Sequence, residues 1–178
     1  MSCLRGKAIT QIGYVVAALD PAIAGWRKAT GIGPWTIFRN VTLEGVHKGE
    51  PTRVIIHVGL AYQDGVQIEL IEPVNMAPSP YRDAAGRPLC GPHHVAWLTD
   101  DLDAAVARAQ EDGLEVEFRA ESPGTRVAYL APPEAPEIRY ELIESATTAE
   151  LIRAGIAEAR EWDGRDPFRI IDFAAAAG

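Results

Sequence analysis

Residues 66–72, Val66-Gln67-Ile68-Glu69-Leu70-Ile71-Glu72, return as residues 138–144, Ile138-Arg139-Tyr140-Glu141-Leu142-Ile143-Glu144. A second matched pair lies upstream of each copy. Gln11-Ile12-Gly13-Tyr14-Val15-Val16 leads to Leu19-Asp20, and His94-Val95-Ala96-Trp97-Leu98-Thr99 leads to Leu102-Asp103. The spacing is the same in both, 11 to 19 and 94 to 102. Self-similarity at this scale is the signature of a duplicated supersecondary unit. Each unit contributes one nitrogen or oxygen donor from each of two strands, which points to a paired site for a metal ion.

The local signals fill in each unit. Residues 9–16 alternate as a strand. A helix over 20–30 follows, with Asp20 as N-cap, Pro21 at its first position, and Gly31 and Gly33 at its end. Strands are predicted over 35–43 and 52–62, and Asp64-Gly65 is a tight hairpin signal into 66–72. Pro73 to Gly91 carries prolines at 73, 78, 80 and 88 and reads as a connection. The second unit predicts a strand over 93–99 and a helix over 101–112, capped by Asp100 or Asp101 and closed by Gly113. Strands near 115–120, 125–131 and 137–144 complete it. The expected organisation is a first β-α-β-β-β module over 1–73, a linker over 74–91, a second module over 92–145 and a C-terminal helical extension over 146–178. The fold class is α+β, two tandem modules forming a cupped mixed sheet. In the extension, Thr147 or Thr148 can cap a helix that covers the sheet or a partner chain. The apolar stretch 166–173 has the character of a docking segment, and the Ala-rich close is expected to fray.

Composition sets the bounds. The 178 residues are 47% hydrophobic and 24% charged, which suits a core-forming globular chain, and the net charge of −8 with no basic run excludes a nucleic-acid backbone as partner. No apolar stretch is long enough to span a membrane, and no apolar signal core opens the chain. Cys3 and Cys90 form neither a disulfide framework nor a metal-ligand spacing, so the expectation is a cytoplasmic chain with free thiols.

Strand parity selects the candidate ligands. Gln11 shares a face with Gly13, and His94 with Ala96; the small residues leave room beside the polar ones. Glu69 lies on one face with Gln67 and Ile71, and Glu141 with Arg139 and Ile143. A carboxylate among apolar strand residues is costly to bury unpaired, and a divalent cation removes that cost. Gln11, Glu69, His94 and Glu141 make a nitrogen–oxygen set without sulfur, compatible with Zn, Ni, Co, Mn or Fe. The bland alternatives are a polar strand residue at 11 and a satisfied core histidine at 94. Glu72 and Glu144 have the opposite parity and are expected at strand ends in water.

These motifs resemble the vicinal oxygen chelate superfamily of glyoxalase I, methylmalonyl-CoA epimerase, extradiol dioxygenases and fosfomycin- and bleomycin-resistance proteins. The resemblance spans roughly residues 8–145 and is carried by the segments beginning at Gln11, Gln67, His93 and Tyr140. It implies two modules cupped around one metal ion, with ligands on the first and last strands of each. Carried over by position, these are Gln11, Glu69, His94 and Glu141, a set that looks like that of some glyoxalase I enzymes; the epimerases commonly have His where Gln11 stands. The implied function is a metal-dependent isomerase, epimerase or lyase working through an enolate or enediolate of a small molecule with adjacent oxygens. Glu141 is the implied base and Glu69 the second carboxylate. A homodimer is also expected.

Two other classes stay open. A ring-cleaving dioxygenase of this superfamily resembles a site with two His and one Glu, whereas only His94 is well placed here. A resistance-type binding protein would sequester a small molecule without catalysis, and such relatives lack the ligands this chain keeps. Among the remaining candidates, His93 faces away from His94 and suits a supporting role, and His47 is expected in a solvated loop. His57 depends on the hairpin: a two-residue turn pairs Leu60 with Glu69 and turns His57 away from the metal face, a three-residue turn brings it in. Trp26 and Trp162 are expected to pack. Trp35, after Gly31-Ile32-Gly33-Pro34, is a candidate for the mouth of the substrate pocket. Gly31-Ile32-Gly33 lacks the third glycine of a nucleotide loop and suits a helix end.

Overall fold

A computed structural model describes Leu4 and residues 6–174. Its elements, in chain order, are β1 (Gln11–Val15), α1 (Leu19–Thr30), β2 (Trp35–His47), β3 (Glu50–Gln63), β4 (Val66–Pro73), β5 (Gly91–Leu98), α2 (Leu102–Glu111), β6 (Glu115–Ser122), β7 (Thr125–Ala131), β8 (Arg139–Glu144), α3 (Thr148–Glu161) and β9 (Phe168–Asp172). This is the α+β architecture of two β-α-β-β-β units followed by a helix. Cys3 and the alanines after Ala174 lie outside the described residues, so the expectations placed on them are not addressed.

The strand order is β3-β4-β1-β5-β8-β7-β6-β2-β9, and β2 also pairs with β3. The first eight strands therefore close on themselves and form a barrel around an interior cup. The two modules meet along two antiparallel seams, β1 with β5 and β2 with β6. The second seam is short. It uses only Glu44–His47 of β2, and the earlier part of β2, Trp35–Arg39, pairs in parallel with β9 instead. The docking segment is thus a ninth strand. Its main-chain pairing was invisible to a periodicity argument because its residues are exposed on both faces.

Three apolar clusters follow from strand alternation. One fills the barrel interior around Val15, Val58, Ile71, Tyr81, Phe118 and Tyr129. The others lie between the sheet and each helix: Leu19, Ile23, Trp35 and Leu70 under α1, and Trp97, Leu102, Val106 and Leu142 under α2. Trp26 meets Tyr14 edge-on over α1. α3 lies across the open end of the barrel. Gly155 allows it to sit down on Tyr62, since a Cβ there would enter the tyrosine ring.

The ends of the helices correct two expectations. α1 begins at Leu19 after Ala18, which offers no side-chain cap. Asp20 is the second helical residue and pairs instead with Arg39. The N–H of Leu19 is accepted by Glu72 Oε2 at 2.7 Å. The equivalent Glu144 Oε2 accepts from Leu102 N–H at 2.6 Å, while Asp101 caps α2 through Ala104 N–H. Glu72 and Glu144 are therefore not idle strand ends: their parity aims them at the helix start, where a carboxylate satisfies an orphan donor and opposes the positive end of the helix dipole. Gly31 ends α1 in the left-handed conformation, as a helix C-cap requires.

Candidate metal centre

Register brings the four expected ligands to one place. Gly13 of β1 is opposite Glu69 of β4 on one side and His94 of β5 on the other; Ala96 of β5 is likewise opposite Gln11 and Glu141. The four side chains project into the barrel from neighbouring strands. From His94 Nε2 the distances are 3.2 Å to Gln11 Oε1, 3.3 Å to Glu69 Oε2 and 3.0 Å to Glu141 Oε2. Candidate ligand atoms of Glu69, His94 and Glu141 all lie within 4.8 Å of one another.

Hydrogen bonds behind the ligands assign the protons. His93 Nε2 lies 2.8 Å from the carbonyl oxygen of Pro80, which can only accept, so that nitrogen carries a proton. Burial and then the neighbouring His94 push the His93 pKa down to about 3, which keeps the ring neutral. Its Nδ1 is therefore bare and accepts from His94 Nδ1–H at 3.0 Å. The remaining nitrogen of His94, Nε2, faces three oxygens. On the other side Gln11 donates its amide N–H to Gln67 Oε1 at 2.7 Å, and Gln67 donates in turn to the Tyr62 hydroxyl at 2.8 Å. That chain turns Gln11 Oε1 toward His94.

A lone pair on His94 Nε2 facing three acceptor oxygens is repulsive, so either a proton or a cation belongs among them. Burial opposes a protonated ring, but the carboxylates of Glu141 and Glu69 outweigh it and hold the His94 pKa up to about 9. Burial also raises the Glu69 carboxyl above its ordinary range, against the pull of His94. Glu141 Oε2 is buried with no donor hydrogen aimed at it despite its short distance to the ring. These features fit a divalent ion: one imidazole nitrogen, one amide oxygen and two carboxylate oxygens, with supporting hydrogen bonds that orient the His and Gln ligands. The approach is close enough that a Cβ on Gly13 would lie inside the His94 imidazole.

The ligand set opens onto a cavity of about 510 Å³ inside the barrel, within the usual range for small-molecule sites. Its walls are apolar and α3 with β9 borders its mouth. Two candidates from the sequence stand elsewhere. Trp35 is fully buried between α1 and the sheet, its indole N–H bonded to the Ile32 carbonyl; Thr36 and Phe38, of the other parity, face the cavity. The hairpin has the two-residue Asp64-Gly65 turn, Leu60 pairs with Glu69, and His57 is directed to the outer face. There His57 Nδ1 accepts the N–H of Asn40 at 3.1 Å, where β2 is irregular and Asn40 has a φ of 57°. His47 is not in a loop; it ends β2, half-buried beside Glu117, and burial lowers its pKa against the pull of that carboxylate.

Sequence reasoning missed Tyr81 and Tyr129. Tyr129 sits on the cavity side of β7, where alternation would have placed it. Tyr81 comes from the stretch read as a linker. That stretch is held by Arg82, whose guanidinium donates to the carbonyls of Pro73, Asn75 and Gly86, and it drives the Tyr81 ring into the core. The two hydroxyls are 3.2 Å apart, and the Tyr129 ring centroid is 5.1 Å from that of His94.

Residues 10–129 match the model of the Glyoxalase/Bleomycin resistance protein/Dioxygenase superfamily. A search of curated proteins returned no match. Among solved structures, a hypothetical protein from Bacillus halodurans C-125 is similar at 18% identity and a TM-score of 0.54, covering 79% of this chain and 96% of its own. The methylmalonyl-CoA epimerase of Mycobacterium tuberculosis is similar at 22% identity and a TM-score of 0.50, with 80% of this chain and 91% of its own covered. At these identities the likeness is one of fold. With the two-module barrel and the family match together, the chain belongs to the Glyoxalase/Bleomycin resistance protein/Dioxygenase superfamily.

Proposed function

We propose that this protein is a metal-dependent isomerase, epimerase or lyase that moves a proton at the carbon beside a carbonyl in a small molecule with adjacent oxygens. The observation that carries this is the convergence of Gln11, Glu69 and Glu141 oxygens on His94 Nε2, while the ring's Nδ1–H is already committed to His93. Those four residues would hold the ion. When bound, a divalent ion supplies Lewis acidity to a carbonyl oxygen and so acidifies the neighbouring C–H.

The chain's own groups supply the rest. Glu141 Oε2, buried and without a donor, is the base that accepts the carbon-bound proton. Glu69, the second carboxylate at the site, is suited to return a proton at the other position. The ring-cleaving alternative is disfavoured because, among the described residues, one imidazole, that of His94, stands with the two carboxylates: His57 and His47 lie elsewhere and His93 is turned to Pro80.

Elemental analysis tests the metal directly. Wild-type protein should carry about one divalent ion per chain, and Glu69→Ala and Glu141→Ala should lose it; full retention in both variants sinks the site. Proton exchange in deuterated buffer, screened over 2-oxo thioesters, hemithioacetals and vicinal-oxygen compounds, tests the chemistry. Exchange on none of them would favour a binding protein. A cytoplasmic homodimer completes the proposal, supported by the family and by the prevalence of closed two-fold assemblies. Light scattering that returns the mass of one chain at micromolar protein would remove that part. Among the described residues, no helix is long and apolar enough to cross a membrane.

A further inference from the structure

The cavity above the ligand set has an uneven distribution of polar groups. Its floor holds Glu69 and Glu141 and its mouth Glu158 and Arg169. Arg169 is the sole cation among the described residues that line it, and it is already paired with Glu158 at 2.9 Å. Between floor and mouth the walls are formed by Phe38, Val58, Leu60, Ile71, Val127 and Ile143. A charged group lodged against such walls would be stripped of water with no partner, which is strongly unfavourable. A phosphorylated carrier threading through the mouth would meet a carboxylate and a spent guanidinium.

Thr36, Tyr62, Gln67, Thr125 and Thr148 add neutral polar groups to the lining, and one polar pair lies beside the ligand set itself, with the Tyr129 ring 5.1 Å from that of His94. Tyr81 and Tyr129 are both buried, both border the cavity, and share a single hydrogen bond at 3.2 Å. Two phenols own two protons. One is used within the pair; the other has no acceptor among the described residues. An unsatisfied buried O–H costs stability, and its persistence beside a reaction site is accounted for when a ligand oxygen accepts it. A phenol keeps its proton at neutral pH, so the pair donates.

We infer that the cavity takes an uncharged, mainly apolar ketone with an adjacent oxygen, aromatic or alicyclic in body, whose second oxygen accepts the spare O–H of the Tyr81–Tyr129 pair, and that it does not take thioesters of phosphorylated carriers. This rests on the cavity being the reaction site proposed above. The tyrosines are positioning residues: they fix which oxygen of the adjacent pair is left for the metal ligands.

The test is calorimetric binding to the full chain, as purified and after chelator treatment, with metal content measured in parallel. The probes are 2-hydroxyacetophenone, acetophenone and propionyl-CoA. Wild type should prefer 2-hydroxyacetophenone to acetophenone and bind propionyl-CoA more weakly than either. The double variant Tyr81→Phe with Tyr129→Phe removes both partners without leaving an orphan, so its thermal midpoint should barely move. Its affinity for 2-hydroxyacetophenone should fall about 3- to 10-fold, the worth of one hydrogen bond, with little change for acetophenone. Each single variant retains one O–H and should lose less. Equal losses for the two ketones, undiminished binding by the double variant, tighter binding of propionyl-CoA, or no binding of any probe by wild type would each overturn the inference. A tyrosine-dependent preference in a chain that carries no metal would uphold it while removing the proposed function.

Discussion

Gln11 and Glu69 of the first module occupy the same registers as His94 and Glu141 of the second, yet the residues beside them differ in instructive ways. The small residue next to the ligand is Gly13 in one module and Ala96 in the other. The reason lies across the seam: Gly13 is opposite His94 and Ala96 is opposite Gln11. A flat ring pressed on β1 leaves no room for a methyl, whereas a slim amide does. Gln67 and Arg139 are also equivalent. Gln67 orients Gln11, but Arg139 turns away and pairs with Glu117 at 2.7 Å. His94 instead takes its orientation from His93. The first module's hairpin is longer as well, with β2 and β3 of 13 and 14 residues against 8 and 7 for β6 and β7. A duplicated frame thus keeps the ligand geometry, and the departures from symmetry make the pocket.

The largest expected effect breaks the equivalence of the two carboxylates. Glu141→Gln keeps an amide oxygen for the metal and loses the proton acceptor. Exchange at the substrate carbon should fall by about two to four orders of magnitude, the usual worth of a general base, with metal retained. Glu69→Gln should slow product formation more than exchange, because the first proton still leaves. Equal losses of exchange in both would make the carboxylates interchangeable and withdraw the asymmetric roles.

A smaller effect is expected at the seam. Gly13→Ala must push the His94 ring away or distort β1, an overpacking that typically costs about 1–3 kcal/mol, and it should release metal because the ring can no longer face the carboxylates. Ala96→Gly removes one buried methyl and adds the strand penalty of glycine, about 1–2 kcal/mol together, with metal retained. Urea denaturation and elemental analysis read both. Similar metal loss in the two variants would mean that the ring does not depend on Gly13.

The repeat made the frame and the four convergent residues legible, because duplication and strand parity are local signals that reinforce each other. The Asp64-Gly65 turn settled His57 once its register was known. Three features were hidden for distinct physical reasons. Trp35 looked like a mouth residue because a loop precedes it, but the parity of β2 turns it under α1 and gives the cavity to Phe38. Tyr81 was lost in a proline-rich stretch whose path depends on Arg82 finding three carbonyls that are distant in space until the chain folds. β9 pairs with β2 through its main chain, and its side-chain contacts, Asp172 with Asn40 and Arg169 with Glu158, join residues far apart in sequence, so no local pattern records them. Glu72 and Glu144 were visible as a repeat and still misread, since their role appears only when the strand end is seen beneath the helix.

That last pair offers the finest comparison of the modules. Both glutamates accept the first N–H of a helix, from Leu19 and from Leu102, in residues with almost no exposure. In α2 the first turn has a second hold, because Asp101 accepts from Ala104. In α1 it has none, since Ala18 has no side-chain acceptor. Glu72→Ala should therefore free the whole first turn of α1 and cost about 1–2 kcal/mol, within the range for leaving a buried donor unmet. Glu144→Ala leaves Asp101 in place and should cost less, by roughly 0.5–1 kcal/mol, which is what a side-chain cap is commonly worth. The arrangement makes a further demand on Asp101→Ala: combined with Glu144→Ala it should bring the second module to the level of Glu72→Ala, so the pair should cost more together than Glu144→Ala alone by that same margin. Chemical denaturation of the four variants measures all of this at once. Glu144 also pairs with Arg126 at 3.1 Å, so the deciding comparison is the double variant against Glu144→Ala; if adding Asp101→Ala costs nothing further, Asp101 adds nothing to the hold on α2.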